Sequence, residues 1–262
     1  MLTKFALAQM AVIPGKLEKN FSRGIEMIQS AVNAKNHYVL FPELWTSGYP
    51  VAAPAKTARA NVEFIKVLRD LSLKEKTVMG GSFLLEEDHN FYNRYVLITP
   101  DGEQPIVYDK IHLFKPLKED QVLASGKNLS VKTYREAVVG LSICYDLRFP
   151  ELFRVYSAKK VNLFLLAAEW PLSRIAHWKI LVQARAIENQ SFFAAVNCVG
   201  KTATDTFGGS SMLVDPYGNI LCSGNETDEC LLFIDCDLSD TETYRKNFRV
   251  LESQRKEIFH GD

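Results

Sequence analysis

Ala137-Val138-Val139-Gly140-Leu141-Ser142-Ile143-Cys144-Tyr145-Asp146-Leu147-Arg148-Phe149-Pro150-Glu151-Leu152 is the stretch that decides the fold class. Residues 137–143 form an apolar run of strand length that ends at a cysteine, and residues 151–159 then read as a helix. Beyond it, 161–168 is a predominantly apolar strand, 172–189 a longer amphipathic helix and 192–196 a further strand. Toward the N-terminus, residues 3–9 read as a strand, and Phe21, Ile25, Ile28 and Val32 recur at helical spacing. Tyr38-Val39-Leu40-Phe41 is a short buried strand stopped by Pro42. A second helix carries Phe64, Leu68 and Leu71, and a strand follows over 77–83. Residues 92–99 and 104–108 flank Pro100-Asp101-Gly102-Glu103 as a hairpin. Strands over 210–214, 220–222 and 230–234 complete the chain, with a turn at Pro216-Tyr217-Gly218-Asn219. Helices alternating with strands predict a layered α/β protein. Periodicity leaves two arrangements open, one doubly wound sheet or two stacked sheets.

The chain has 262 residues with neither an internal repeat nor a Pro/Gly/Ser-rich linker, so a single domain over 1–262 is expected. Hydrophobic residues make up 47%, enough for a core without metal or disulfide staples. Lysine and arginine balance aspartate and glutamate at 31 each, which gives no support for nucleic acid or an anionic membrane as partner. The apolar run 5–8 is too short for a signal peptide, and no stretch reaches the length of a membrane span. The five cysteines, at 144, 198, 222, 230 and 236, lack CxxC spacing, so neither a zinc site nor a disulfide framework is expected. Free thiols point to a reducing cytoplasm.

Three residues stand where chain direction changes after a strand. Cys144 follows 137–143; a nucleophile there is exposed at the sheet edge, and the amides just after it can face an oxyanion. Read alone, it is more often a small buried hydrophobe, as most free cysteines are. Glu43, in Phe41-Pro42-Glu43-Leu44, is a carboxylate at an apolar strand end, placed either to take a proton from a thiol or to sit in water at a loop start. Lys110, in Tyr108-Asp109-Lys110-Ile111-His112-Leu113-Phe114, is either an oxyanion-stabilising cation among apolar neighbours or a solvated loop lysine. His112 and His177 read as hydrogen-bonding residues, and Trp178 with Ile175 and Val182 as the apolar face of its helix. The charged stretch from Arg245 to Lys256 reads as a solvated helix face or part of a subunit contact.

Taken together and in order, Phe-Pro-Glu-Leu, Tyr-Asp-Lys-Ile-His-Leu-Phe and Ile-Cys-Tyr-Asp-Leu-Arg-Phe-Pro-Glu-Leu resemble the nitrilase, or carbon-nitrogen hydrolase, superfamily. Gln9, Gly80-Gly81-Ser82, Ala184-Arg185-Ala186-Ile187-Glu188-Asn189-Gln190 and Gly208-Gly209-Ser210 extend the resemblance over roughly 5–258. It implies a four-layer α-β-β-α sandwich that associates as a homodimer or higher homo-oligomer. It also implies Glu43 as general base, Lys110 as oxyanion lysine, Cys144 as nucleophile and Glu119 as a second glutamate positioning substrate and lysine. The implied reaction is hydrolysis of a small-molecule amide by water through a cysteine thioester, releasing ammonia, with no cofactor and no metal.

Cys144-Tyr145-Asp146-Leu147-Arg148-Phe149 and Ala168-Glu169-Trp170-Pro171 look like the ω-amidase branch, whose substrates are 2-oxoglutaramate and 2-oxosuccinamate. In this reading Tyr145, Arg148, Glu169 and Trp170 contact substrate, and Arg148 pairs with the distal carboxylate. The alternative for Arg148 is a structural pair with Asp146 or with a dimer partner. Glu169 stands where related chains often carry a neutral residue, and a carboxylate there would favour a cationic amide or carbamoyl-amine. A deaminated-glutathione-type or aliphatic amide, and a catalytically idle scaffold or binding protein, are the remaining readings.

Overall fold

The computed structural model describes residues 2–49, 51–255 and 258. The first half of the chain runs β1 (Thr3–Gln9), α1 (Leu17–Asn33), β2 (Tyr38–Leu40), α2 (Pro54–Glu75), β3 (Val78–Glu87), β4 (Asn90–Ile98) and β5 (Ile106–Asp109). The second half runs β6 (Val131–Tyr134), β7 (Ala137–Ile143), α3 (Pro150–Ala158), β8 (Leu163–Ala168), α4 (Ile175–Asn189) and β9 (Phe192–Asn197). A two-stranded ribbon, β10 (Val199–Lys201) with β11 (Thr206–Gly208), then precedes β12 (Met212–Val214), β13 (Ile220–Ser223), β14 (Cys230–Cys236) and α5 (Asp240–Asn247).

These strands make two six-stranded sheets, ordered β14-β1-β2-β3-β4-β5 and β13-β12-β9-β8-β7-β6. Each has a parallel centre, β1-β2-β3 in one and β7-β8-β9 in the other, flanked by antiparallel strands. The central strands are apolar on both faces because each face meets a different layer. Phe5, Leu7 and Leu40 of the first sheet meet Leu141, Leu163 and Leu165 of the second in the core between the sheets. Their neighbours Ala6, Ala8 and Val39 turn outward under Met27, Ile28 and Leu68 of α1 and α2. Phe164 and Leu166 do the same under Phe153, Trp178 and Val182 of α3 and α4. The result is the expected four-layer α-β-β-α sandwich.

Several local expectations needed correction. The strands expected to stop at 83 and resume at 92 continue to Glu87 and from Asn90, closed by Asp88 and His89 in left-handed conformations (φ 48° and 62°). Leu84, Leu85 and Phe91 of that extension still pack on the core, and only the tip over 86–90, Glu-Glu-Asp-His-Asn, is polar, which masked the continuation. Arg245 does not sit on a solvated helix face. Its guanidinium donates to the carbonyls of Gln190, Val161 and Asn189 and to Ser191 Oγ, closing the C-terminal segment onto the second sheet. The end of that charged stretch, Lys256, lies outside the described residues. Among the described residues no helix is long and apolar enough to cross a membrane.

Parallel centres place several loops at one edge. The chain leaves β2, β7 and β8 at their carboxyl ends, and β5 ends beside them. There Glu43 N–H donates across the sheets to Ala168 O (3.4 Å), so the two sheets are joined where the candidate residues gather.

Candidate active site

Glu43 follows β2 in a loop held by its own packing. Trp45, fully buried, fills a slot left by two glycines: a Cβ at Gly24 would lie 2.3 Å from its ring, and one at Gly81 2.9 Å. Leu44, at φ 42°, takes a left-handed turn and donates its N–H to Ser82 Oγ (2.8 Å). This turn, with the Gly80-Gly81-Ser82 motif beneath it, swings Glu43 into the gap between the sheets. Three donors converge on the Glu43 carboxylate: Asn93 Nδ2 (2.7 Å) and Lys110 Nζ (2.8 Å) on Oε1, and Glu169 N–H (2.9 Å) on Oε2.

Lys110 is 1% exposed, an extreme that a lysine tolerates only with partners. Its ammonium sits between Glu43 and Glu119 Oε1 (2.9 Å). Burial alone would push its pKa down; the two carboxylates reverse this and hold it well above the ordinary lysine value. Glu119 is fixed in turn by Phe114 N–H on Oε2 (2.8 Å). Burial raises the Glu119 carboxyl, with Lys110 opposing and Glu43 reinforcing the shift. The carboxylate named from the resemblance is therefore the one that grips the lysine.

Cys144 opens a short 3-10 turn, Cys144–Arg148, at φ 42°. A left-handed conformation at a non-glycine residue costs about 1–2 kcal/mol, and it persists where the surroundings enforce it. Here the enforcement comes from Asp146, which is fully buried. Its Oδ2 accepts from Ile143 N–H (2.9 Å) and Tyr108 O–H (2.7 Å); its Oδ1 accepts from His112 N–H (3.0 Å) and lies 2.8 Å from His112 Nδ1. The same carboxylate thus ties the turn after β7 to the segment that carries Lys110. Arg185 clamps the far end of the turn, donating from Nε and Nη2 to Leu147 O (3.1 and 2.9 Å).

The thiol itself is held neutral. Burial raises its pKa well above the ordinary cysteine value, repulsion from Glu43 acts the same way, and Lys110 opposes both. A neutral thiol attacks only if its proton is taken as it does so, which places a base within reach of the sulfur as a chemical requirement.

A cavity of about 530 Å³ opens over Cys144. All four residues expected to contact substrate line it: Tyr145, Arg148, Glu169 and Trp170. Trp170 is 2% exposed and acts mainly as a floor, with the Arg148 guanidinium 4.6 Å above its ring. The expected alternative partner of Arg148, Asp146, is fully engaged elsewhere, and the guanidinium nitrogens instead lie 3.4 Å from His177 Nδ1.

Sequence reading missed two residues here. Arg174, 5.5 Å over the Phe114 ring, lines the same cavity close enough to Arg148 that burial and then its charge lower the Arg148 pKa. Asn93 gives its carbonyl to Lys110 N–H (2.9 Å) and its amide to Glu43. Its only signal was a lone amide inside a strand. Among the described residues no group of three or more His, Cys, Asp or Glu side chains is placed to hold a metal.

Comparison with known proteins identifies the family. The family model described as carbon-nitrogen hydrolase matches residues 4–246. A 2-oxoglutaramate amidase of Bacillus subtilis (strain 168) is 32% identical over 96% of this chain and 97% of its own. A second 2-oxoglutaramate amidase, from Paenarthrobacter nicotinovorans, is 35% identical over 93% of this chain and 86% of its own. Among solved structures, XC1258 from Xanthomonas campestris, a CN-hydrolase superfamily protein with an arsenic adduct in its active site, superposes with a TM-score of 0.89. It is 27% identical, with 97% of each chain covered. The four-layer sandwich and this match along almost its whole length make the chain a member of the carbon-nitrogen hydrolase family, and an amidohydrolase.

Proposed function

We propose that this amidohydrolase is an ω-amidase acting on short dicarboxylic monoamides such as 2-oxoglutaramate or 2-oxosuccinamate. The observation that carries the reading is the charge at the cavity. Arg148 and Arg174 both face it, each laid over an aromatic ring, and among the described residues neither is in an ion pair. Two like charges side by side, neither held in an ion pair, suit a substrate that brings a carboxylate.

In the proposed reaction, Cys144 Sγ attacks the amide carbon while Glu43 accepts the thiol proton. Lys110 Nζ and the Tyr145 N–H stabilise the oxygen as it becomes an oxyanion. The C–N bond breaks as Glu43 returns the proton to nitrogen, and ammonia leaves a thioester on Cys144. Water then gives a proton to Glu43 and adds to the thioester, and collapse releases the acid and restores the thiol. Glu119 acts by holding Lys110. A homodimer belongs to the same reading, supported by apolar Val155, Ile180 and Ile187 exposed on α3 and α4. A cytoplasmic location fits the five free thiols.

The test is ammonia release from 2-oxoglutaramate and from butyramide by the parent protein and Arg148→Met. The reading predicts a KM for 2-oxoglutaramate that rises at least tenfold in the variant while that for butyramide holds. Equal effects on both substrates, or a parent enzyme that prefers butyramide, would overturn it.

A further inference from the structure

Glu169, a cavity carboxylate beside Arg148, is at odds with an anionic substrate, and its setting resolves the conflict. It follows β8 directly, and its own backbone fixes it between base and nucleophile. Its N–H holds Glu43 Oε2 at 2.9 Å, and its carbonyl lies 3.9 Å from Cys144 Sγ. The side chain then faces the cavity alongside Trp170 and Arg148. Around it the charges do not balance. Glu43, Glu119 and Glu169 share one buried ammonium, and Lys110 commits its contacts to Glu43 and Glu119. Among the described residues Glu169 is in no ion pair. A carboxylate confined beside two others, without a cation of its own, is relieved by keeping its proton.

We propose that Glu169 meets the substrate as a neutral carboxylic acid. Its O–H donates to an oxygen of the carboxylate or 2-oxo group, so this side chain selects oxo-acid amides instead of repelling them. The inference rests on the ω-amidase reading and adds its selectivity device. An O–H donor on a carboxylate is among the stronger hydrogen bonds available to a side chain, whereas an ionised Glu169 would place like charge against the substrate. Burial pushes the Glu169 carboxyl well above the ordinary glutamate value; repulsion from Glu43 and Glu119 adds to this, while Lys110 and a hydrogen bond from the Tyr49 backbone oppose it without reversing it. An incoming carboxylate raises it further, and Arg148 and Arg174 compensate the substrate's own charge. The other titratable groups facing this space are Cys144 and Tyr145 on the turn after β7, Glu119 and Tyr49 on loops of the first sheet, and Lys201 and Asp205 on the β10–β11 ribbon. Cys198, after β9, packs behind.

The experiment follows kcat/KM for 2-oxoglutaramate and for butyramide from pH 6 to 10 in the parent protein, Glu169→Gln and Glu169→Ala. Butyramide reports the pH dependence of the Cys144 chemistry, common to both substrates. The parent is expected to lose activity on 2-oxoglutaramate at alkaline pH faster than on butyramide, as Glu169 ionises. Glu169→Gln keeps a donor that cannot ionise, so its KM for 2-oxoglutaramate should rise less than threefold and the extra alkaline loss should vanish. Glu169→Ala loses the donor, and its KM should rise about tenfold or more. Gln and Ala variants of equal KM, or either one binding 2-oxoglutaramate more tightly than the parent, would overturn the role of Glu169 and leave the ω-amidase reading standing. A parent that hydrolyses butyramide but not 2-oxoglutaramate would overturn both.

Discussion

Asp146→Asn isolates the device that holds the nucleophile. The substitution is isosteric, but one acceptor oxygen becomes an NH₂ donor. On the Oδ2 side it would meet Ile143 N–H and Tyr108 O–H; on the Oδ1 side, His112 N–H and the His112 ring. The phenol can rotate and the imidazole can change tautomer. Neither backbone N–H can turn round, so whichever way the amide flips, one buried N–H loses its acceptor. A lost bond to a charged acceptor that leaves such a group unpaired costs about 2–3 kcal/mol. At about 2–4 °C per kcal/mol for a chain of this size, the melting temperature should fall by roughly 4–12 °C. The same N–H at Ile143 helps keep Cys144 left-handed, so kcat should fall about tenfold to a hundredfold as the sulfur loses its fixed position. Tyr108→Phe is the control. It removes a donor to Asp146 and a long contact from Ile111 N–H (3.4 Å) but leaves the Ile143 and His112 N–H groups satisfied, so it should cost no more than about 1.5 kcal/mol. Thermal unfolding and ammonia release on both variants decide the matter. An Asn variant that melts within 2 °C of the parent with unchanged kcat would refute the reasoning, as would a Phe variant equally impaired.

Two further outcomes follow from the buried charges. Lys110→Met leaves Glu43 and Glu119 without their shared cation, a loss of about 3–5 kcal/mol, and removes an oxyanion donor, for a fall in kcat of about 10²-fold or more. Because the freed carboxylates are relieved by protonation, thermal unfolding should show a larger deficit at pH 8 than at pH 5; the reverse order would contradict the pairing. Glu169→Gln tests the linkage of its raised pKa to stability. A folded carboxyl pKa above the unfolded value of about 4.3 gives stability that is full below that value and is lost as pH rises through the folded one. The Gln variant escapes the loss, so its melting temperature should gain on the parent from pH 5 to pH 9, and a constant difference would exclude the shift.

Much of this was legible in the sequence, for physical reasons that differ by element. The apolar run of β8 announced a strand buried on both faces. That same property hid which face each side chain takes, since Leu163 and Leu165 on one side are as apolar as Phe164 and Leu166 on the other. Pattern therefore left one sheet or two undecided, and the resemblance carried by the motifs around Glu43, Lys110 and Cys144 supplied the sandwich. The same motifs named the residues that the fold brings together. Arg174 and Asn93 stayed hidden because each acts through a neighbour distant in sequence, one beside Arg148 and the other against Glu43. Glu169 was visible, but its charge state was not. It depends on how many carboxyls share Lys110, which only the folded chain determines.

The central claim is a thioester on Cys144 formed with Glu43 as proton carrier. It is tested most directly by rapid quenching of the protein with 2-oxoglutaramate, followed by intact-mass and peptide mass spectrometry on the parent, Glu43→Gln and Cys144→Ala. The account predicts an acyl adduct, the substrate less ammonia, on the peptide containing Cys144 in the parent, and no adduct and no turnover in Cys144→Ala. Glu43→Gln should be slowed by orders of magnitude. Ammonia release by Cys144→Ala, or an adduct on any other cysteine, would contradict it.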